Sequence, residues 1–261
     1  MKFSYHVHSK WSDGRDSIDE IVRYAEKLGL DEVGISDHYS LLASDTFSMH
    51  RSSLDAYIED VRRYQKEAIP VRLGLEADFS LETEKELASI LSVRSFDYVL
   101  GSVHSVDGIF VDNVDDACFI EENLAFYWKK YWFLVKKMAQ SGLFDIVAHL
   151  DLPKKYVGNG SKEITSEMEE ALGAIRDAGM SVELNTSGWY FPSREQYPSI
   201  VLLKRCFELG VSVLVSADAH RKEDLIRDFG KGYQVLNDLG FTKLASYKNR
   251  EKFLVDIPKP F

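Results

Sequence analysis

Short apolar runs alternate along the chain with longer stretches whose apolar positions recur every three or four residues. The first pattern suits buried strands of a parallel sheet, and the second suits amphipathic helices. Phe3-Ser4-Tyr5 is the first run. Ser17, with Glu20 three positions on, carries the capping-box pattern, and Ile21, Val22, Ala25 and Leu28 form one helical face that stops at Gly29. Glu32-Val33-Gly34-Ile35-Ser36 is a second run and leads directly into Asp37-His38. Residues 39–52 are polar and irregular, as a loop would be. Leu54, Tyr57, Ile58, Val61 and Tyr64 predict a helix over 53–67. A third strand is predicted at 71–75 with Glu76 at its end, then a helix at 82–92 and a fourth strand at 98–103 that ends on His104.

A loop at 105–117 precedes a long aromatic-rich helix from 119 to 141, in which Phe126, Tyr127, Trp128, Tyr131, Trp132 and Phe133 read as packing residues. The fifth strand, 144–148, ends on His149. A helix at 163–178 leads to a sixth strand, 181–184, ending on Asn185. A helix at 199–209 leads to the seventh, 211–215, which runs into Ser216-Ala217-Asp218-Ala219-His220. The remainder reads as one or two helices and a final strand near 253–257. About seven strand–helix units with no linker or repeat predict a parallel sheet. At 261 residues this implies a closed or nearly closed α/β barrel in one domain, 1–261.

Barrels of this kind collect their chemistry at the C-terminal ends of the strands. At those ends stand His6, His8, His38, Glu76, His104, His149, Asp218 and His220. Six of the seven histidines are in that set; His50, in the 39–52 loop, is outside it, and the predicted helices contain none. His6 and His8 share one strand face, and Asp13, in a Ser-Asp-Gly turn, can fold a carboxylate over the same place. Each residue alone has a plain reading as a hydrogen-bonded rim histidine, a surface carboxylate or a helix cap. Together, imidazoles and carboxylates crowded at one mouth are costly without partners, and divalent ions satisfy most of them at once. Nine candidates exceed one tetrahedral ion and suit two or three ions sharing carboxylates. The absence of thiolate suits Zn, Mn or Fe.

A net charge of −10 argues against non-specific binding to nucleic acid or an anionic membrane, while bound metals would still admit a small anionic substrate. Cys118 and Cys206 lack Cys-x-x-Cys spacing and read as reduced thiols. With no apolar leader before His6 and no run of about 18 apolar residues, a soluble, cytoplasmic protein is expected. The pattern sets no oligomeric state.

The motif set is similar to the polymerase-and-histidinol-phosphatase (PHP) superfamily. The motifs are His6-x-His8 with Asp13-Gly14, Ser36-Asp37-His38, Gly74-Leu75-Glu76, Gly101-Ser102-Val103-His104, Ala148-His149 and Ser216-x-Asp218-x-His220. The segments His149-Leu150-Asp151-Leu152-Pro153-Lys154-Lys155-Tyr156, Glu183-Leu184-Asn185-Thr186-Ser187-Gly188 and Tyr197-Pro198-Ser199 resemble its histidinol-phosphatase branch. The resemblance implies a distorted (β/α)7 TIM-like barrel with a trinuclear metal centre. It implies one ion on His6, His8, Glu76 and Asp218, a second on Glu76, His104 and His149, and a third on Asp13, His38 and His220. It further implies a phosphomonoesterase that hydrolyses histidinol phosphate, in histidine biosynthesis, through a hydroxide bridging the ions. The branch often has an arginine soon after Asn-Thr-Ser-Gly; here Trp189-Tyr190-Phe191 follows, and the first basic residue is Arg194. Arg194 and Lys155 are the expected phosphate contacts, and Asp151 or a bound water the expected proton donor to the leaving group. The alternatives are a superfamily phosphoesterase for a nucleotide or another small ester, an amidohydrolase-type enzyme, and a metal-storing or regulatory barrel. No strand end carries the lysine that an amidohydrolase would normally use.

Overall fold

The computed structural model describes residues 1–42, 45–66, 68–157 and 163–258, with the backbone alone at 66, 118–120 and 157. The strands, in chain order, begin with β1 (Phe3–Ser4), β2 (Glu32–Ile35), β3 (His38–Tyr39), β4 (Val71–Leu73), β5 (Glu76–Asp78) and β6 (Leu100–Ser102). A small hairpin of β7 (Ser105–Val106) and β8 (Ile109–Phe110) follows, then β9 (Ile146–Val147), β10 (Ser181–Asn185), β11 (Ser212–Ser216), β12 (Lys243–Lys248) and β13 (Glu251–Asp256).

Two parallel sheets, β1-β2-β4 and β3-β5-β6-β9-β10-β11, share two stretches of chain. β2 runs on into β3, and β4 into β5, after breaks at Ser36-Asp37 and Gly74-Leu75. A parallel bridge between Val7 and Ala219 joins the continuation of β1 to the end of β11, with His8 N donating to Ala219 O at 2.9 Å and Ala219 N to His6 O at 3.0 Å. The ring of seven strand positions is thereby closed, as a distorted barrel.

The breaks have local causes. Asp37 is turned to accept bonds from the backbone N–H and hydroxyl groups of Ser9 and Ser12, at 2.6 to 3.1 Å, which pins the turn that carries Asp13. The buried Tyr57 hydroxyl lies 2.9 Å from Ile35 O and 2.8 Å from Gly74 O, covering carbonyls at both breaks. Gly34 and Gly74 leave room for the buried Tyr98 ring, because a Cβ at either would come within 2.1 or 2.3 Å of it.

The helices pack outside the ring. The first spans Ile18–Lys27; Ser17 caps it reciprocally with Glu20, and Ile18, Ile21, Val22 and Ala25 are its buried face. Leu54–Arg63, flanked by short 3-10 turns, fills the predicted 53–67 helix, whose residue 67 lies outside the described residues. The predicted 119–141 helix is two, Ala117–Glu122 and Leu124–Gln140, separated at Asn123. Of its aromatics, Tyr127, Tyr131 and Trp132 are buried, whereas Phe126 and Phe133 face solvent, each beneath a lysine, Lys130 and Lys137. Ser166–Asp177, Ile200–Leu209 and Phe229–Asp238 match predicted helices. The chain ends in an antiparallel pair, β12 and β13, where a single strand was expected. Cys206 is buried and free, and the Cys118 side chain lies outside the described residues. Among the described residues no helix is long and apolar enough to cross a membrane.

Candidate metal centre

Parallel pairing puts successive strand ends side by side, so whatever each strand carries at its end is delivered to one mouth. His38 stands opposite Glu76 in the β3–β5 register, and Glu76 is the hub. Glu76 Oε2 lies 2.7 Å from His38 Nδ1, 3.1 Å from His6 Nε2 and 3.6 Å from His8 Nε2. Its Oε1 lies 3.0 Å from His149 Nε2 and 3.6 Å from His104 Nε2. Asp218 Oδ1 is 3.1 Å from His8 Nε2 and 3.4 Å from His6 Nε2. Asp13 reaches His220 Nε2 at 3.3 Å and His38 Nε2 at 3.8 Å. All nine sequence-predicted ligand candidates therefore meet. His50 does not; it caps the Arg51–Ser53 turn at the surface.

Donor atoms lie within 4.8 Å of one another in the groups His8-Asp13-His38-His220, His6-His8-Glu76, His38-Glu76-His104 and His6-His149-Asp218. This grouping is more interleaved than the expected division. His8 stands with Asp13, His38 and His220 as well as with His6 and Glu76. His149 and Asp218 hold non-glycine backbone in the left-handed region, at φ 25° and 51°, so both side chains are aimed from backbone that is costly to hold.

His6, His8, Glu76, His104 and His149 are buried, and the charges there are mutually dependent. Burial alone would push His6 down, but Glu183, Asp218 and Glu76 hold it well above the ordinary imidazole range. His104, against the same opposition from burial, is raised to about 10 by Asp78 and Glu76, and His220 to about 9 by Asp13 and Asp218. His8 goes the other way, to about 3, because burial and the neighbouring His38 and His220 disfavour a further cation. Burial opposes ionisation of Glu76 and Asp218, yet the imidazoles around them hold both well below the usual carboxylate range.

His6 Nε2 and Glu76 Oε2 face each other, and neither has a partner in hydrogen-bonding geometry. His8 Nδ1, His104 Nδ1 and His149 Nδ1 are likewise buried without one. Of these, His6 Nε2 and Glu76 Oε2 meet at the hub with hydrogen-bonding capacity unspent, and such a pair fits a divalent cation, which takes neutral imidazole and ionised carboxylate together.

Several residues around this cluster lie outside the sequence-predicted set. Glu183, buried in β10, accepts from His6 Nδ1 at 2.9 Å, His149 N at 2.6 Å, Ser216 Oγ at 2.6 Å and Asn185 Nδ2 at 2.9 Å. Asp78 accepts from His104 N at 3.1 Å, and its carboxylate lies 3.5 Å from His104 Nδ1. Both follow from strand alternation. Glu183 shares a face with Asn185, and Asp78 with Glu76, so an acidic residue two positions from a strand-end group was the available signal.

Two cavities open beside the cluster. One, of about 190 Å³, is lined by His38, His104, His149, Asp13, Asp112 and Lys155, among others. The second, of about 200 Å³, adds Tyr190, Phe191, Tyr197, Asp224 and Arg227, and shares Leu152, Lys155, Asp218 and His220 with the first. Lys155 thus stands between them, 3.2 Å from Asp112. Arg194 is exposed and lines neither cavity. Asp151 is buried and lines neither, its Oδ2 taken by Lys154 Nζ and Ser199 N, each at 2.9 Å, and its Oδ1 without a partner.

The PHP domain family matches residues 4–187. The chain belongs to that family. Among its relatives, the probable histidinol-phosphatase of Deinococcus radiodurans is 33% identical over 238 residues, spanning 89% of this chain and 90% of that protein. The histidinol-phosphatase of Lactococcus lactis is 26% identical over 270 residues, covering 94% of each. The crystal structure of histidinol phosphate phosphatase from Lactococcus lactis, complexed with zinc, L-histidinol and phosphate, matches at a TM-score of 0.81. It covers 97% of this chain and 98% of that one at 24% identity. A second crystal structure, of a protein from Listeria monocytogenes, matches at 0.77, covering 88% and 99% at 21% identity. The barrel described above is therefore the PHP fold.

Proposed function

We propose that this PHP domain hydrolyses L-histidinol phosphate to L-histidinol and inorganic phosphate, in a centre of three divalent ions. The observation that carries the chemistry is the convergence of nine imidazoles and carboxylates in one cluster, five of the imidazoles facing Glu76, beside a cavity that Lys155 lines. The substrate follows from similarity to histidinol-phosphatases over about nine tenths of the chain. His6, His8, Asp13, His38, Glu76, His104, His149, Asp218 and His220 would hold the ions, with Glu76 shared between them. Three dications outweigh the three carboxylates Asp13, Glu76 and Asp218, so the loaded mouth attracts a phosphate dianion.

When bound, such ions stabilise charge on phosphoryl oxygens and make hydroxide available near neutral pH. The protein's own residues do the placing. Glu183 fixes the proton of His6 on Nδ1, because a carboxylate only accepts, and so aims the Nε2 lone pair at the hub. Asp78 stands behind His104, its carboxylate 3.5 Å from Nδ1 while Nε2 faces Glu76. Asp37 holds the turn that presents Asp13. Lys155, steadied by Asp112, meets the phosphoryl group from the cavity wall. Tyr190, Phe191 and Tyr197 offer an aromatic wall for the imidazolyl end.

The test is phosphate release by metal-loaded protein from histidinol phosphate, a mononucleotide and an aryl phosphate. We expect kcat/KM for histidinol phosphate to exceed the others by two orders of magnitude or more; preference for the nucleotide overturns the assignment. His149→Ala should lose bound metal and activity together, and undiminished metal content would remove His149 from the ligand set.

A further inference from the structure

The second cavity carries a guanidinium that the loop after β10 does not supply. Arg227 reaches it from the segment following β11. Its Nη2 donates to Ala217 O at 3.1 Å, the carbonyl immediately before Asp218. Its Nη1 faces Asp224 Oδ2 at 3.2 Å, and Arg221 Nη2 faces that same oxygen at 3.1 Å. The two guanidinium groups share that one carboxylate oxygen. The Arg227 guanidinium also lies over the Tyr190 ring, 4.5 Å from its centroid, and the Tyr190 hydroxyl is held by Asp228 at 2.6 Å. Arg227 O accepts from Thr186 Oγ1 at 2.8 Å, which ties the segment to the β10 loop. The fork is therefore fixed in place, and its Nε–H is buried with no partner.

We propose that Arg227 binds the phosphoryl group, gripping a non-bridging oxygen from the wall of the second cavity. This rests on the phosphatase reading of the site. A planar guanidinium already oriented by Ala217 O, Asp224 and Tyr190 loses little freedom on meeting a phosphate, and its unspent N–H groups match that ligand's oxygens. Arg227 lines the second cavity together with Asp218 and His220, which also line the first, so it stands beside the passage that a substrate with its phosphoryl end at the hub and its organic end against the aromatic wall must occupy.

The test uses metal-loaded enzyme carrying Arg227→Met, Arg227→Lys or Arg194→Met. The readouts are the inhibition constant for inorganic phosphate, KM and kcat for an aryl phosphate, and metal content by mass spectrometry. Arg227→Met should weaken phosphate inhibition and raise KM at least tenfold with metal content unchanged. Arg227→Lys should recover part of the loss, and free guanidinium should rescue the methionine variant. A phosphate constant within twofold of the parent overturns the proposal. So does loss that tracks metal content without guanidinium rescue, or a larger effect at Arg194 than at Arg227. If the methionine variant does not fold, the lysine variant still decides, since a structural role predicts no selective change in phosphate binding. Inorganic phosphate carries no organic group, so failure of the histidinol assignment would leave this readout unaffected.

Discussion

Glu183 stands directly behind His6, with 2.9 Å between Oε2 and Nδ1, both groups fully buried and on strands separated by 177 positions of sequence. The pair sets which imidazole nitrogen is free to face the Glu76 hub. In Glu183→Gln the amide can turn its N–H toward Nδ1, so the proton moves to Nε2 and the lone pair points the wrong way. Outer carboxylates of this kind are worth about 10 to 100-fold in metal affinity. We expect that loss for Glu183→Gln in competition with a chromogenic chelator, with far-ultraviolet circular dichroism unchanged. Parent-like affinity would make Glu183 a packing residue only.

Metal loading should be coupled to proton release. In the protein without ions, His104 is raised to about 10 and His220 to about 9, so both carry protons at pH 7; His8, near 3, does not. Coordination takes the neutral imidazole, and those protons must leave. Apparent affinity should therefore rise with pH up to about 9 and fall toward pH 6, by tenfold or more per unit. Calorimetry in buffers of different ionisation enthalpy should record release of more than one proton. A pH-independent affinity would show that the imidazoles are already neutral.

Much of this was legible in the chain because the signal was local. Each apolar run ends on the residue that the barrel delivers to its mouth, so His38, His104 and His149 could be placed from sequence alone. The breaks after Ile35 and Leu73 could not. They depend on Tyr57, Tyr98 and the Ser9–Ser12 turn, which reach the breaks only through the fold. Asn123 divides a helix whose apolar spacing runs on without interruption. Glu183 was readable as an acidic residue inside an apolar strand. Arg227 was not, since nothing in Ile226-Arg227-Asp228 says that the loop folds back beneath Ala217.

Tyr98 makes Gly34 and Gly74 obligatory. A Cβ on Gly74 would lie 2.3 Å from Tyr98 Cζ, and one on Gly34 would lie 2.1 Å from its hydroxyl oxygen. Tyr98 is fully buried and its hydroxyl is committed to Tyr5 O, so the ring has no free direction in which to yield. Gly74→Ala should cost about 3 kcal/mol, at the upper end of typical overpacking. Adding Tyr98→Leu should recover part of that, giving a coupling energy of about 1 kcal/mol or more between the two sites. Denaturant midpoints of the single and double variants decide; strict additivity would show that the clash relaxes elsewhere.

Asp151 tests whether a buried acid near the mouth is chemistry or scaffold. Burial raises its carboxyl above the ordinary value, as a proton donor would need. Its geometry points elsewhere: Oδ2 is held by Lys154 Nζ and by Ser199 N, and the fully buried Lys154 also bonds Glu195 Oε2 at 2.9 Å and Gln196 O at 2.7 Å. This lysine ties the segment carrying Tyr197, a wall of the second cavity, to the turn after β9. Removing one partner from a buried pair strands the other and costs about 3 to 5 kcal/mol. Lys154→Met should lose that much stability in chemical denaturation. Asp151→Asn should lose less, because the amide can still accept from Ser199 N and Lys154. If Asp151 is scaffold, Asp151→Asn keeps kcat within tenfold and leaves the alkaline limb of the pH–rate profile in place. Disappearance of that limb, with stability retained, would instead make Asp151 the proton donor to the leaving group.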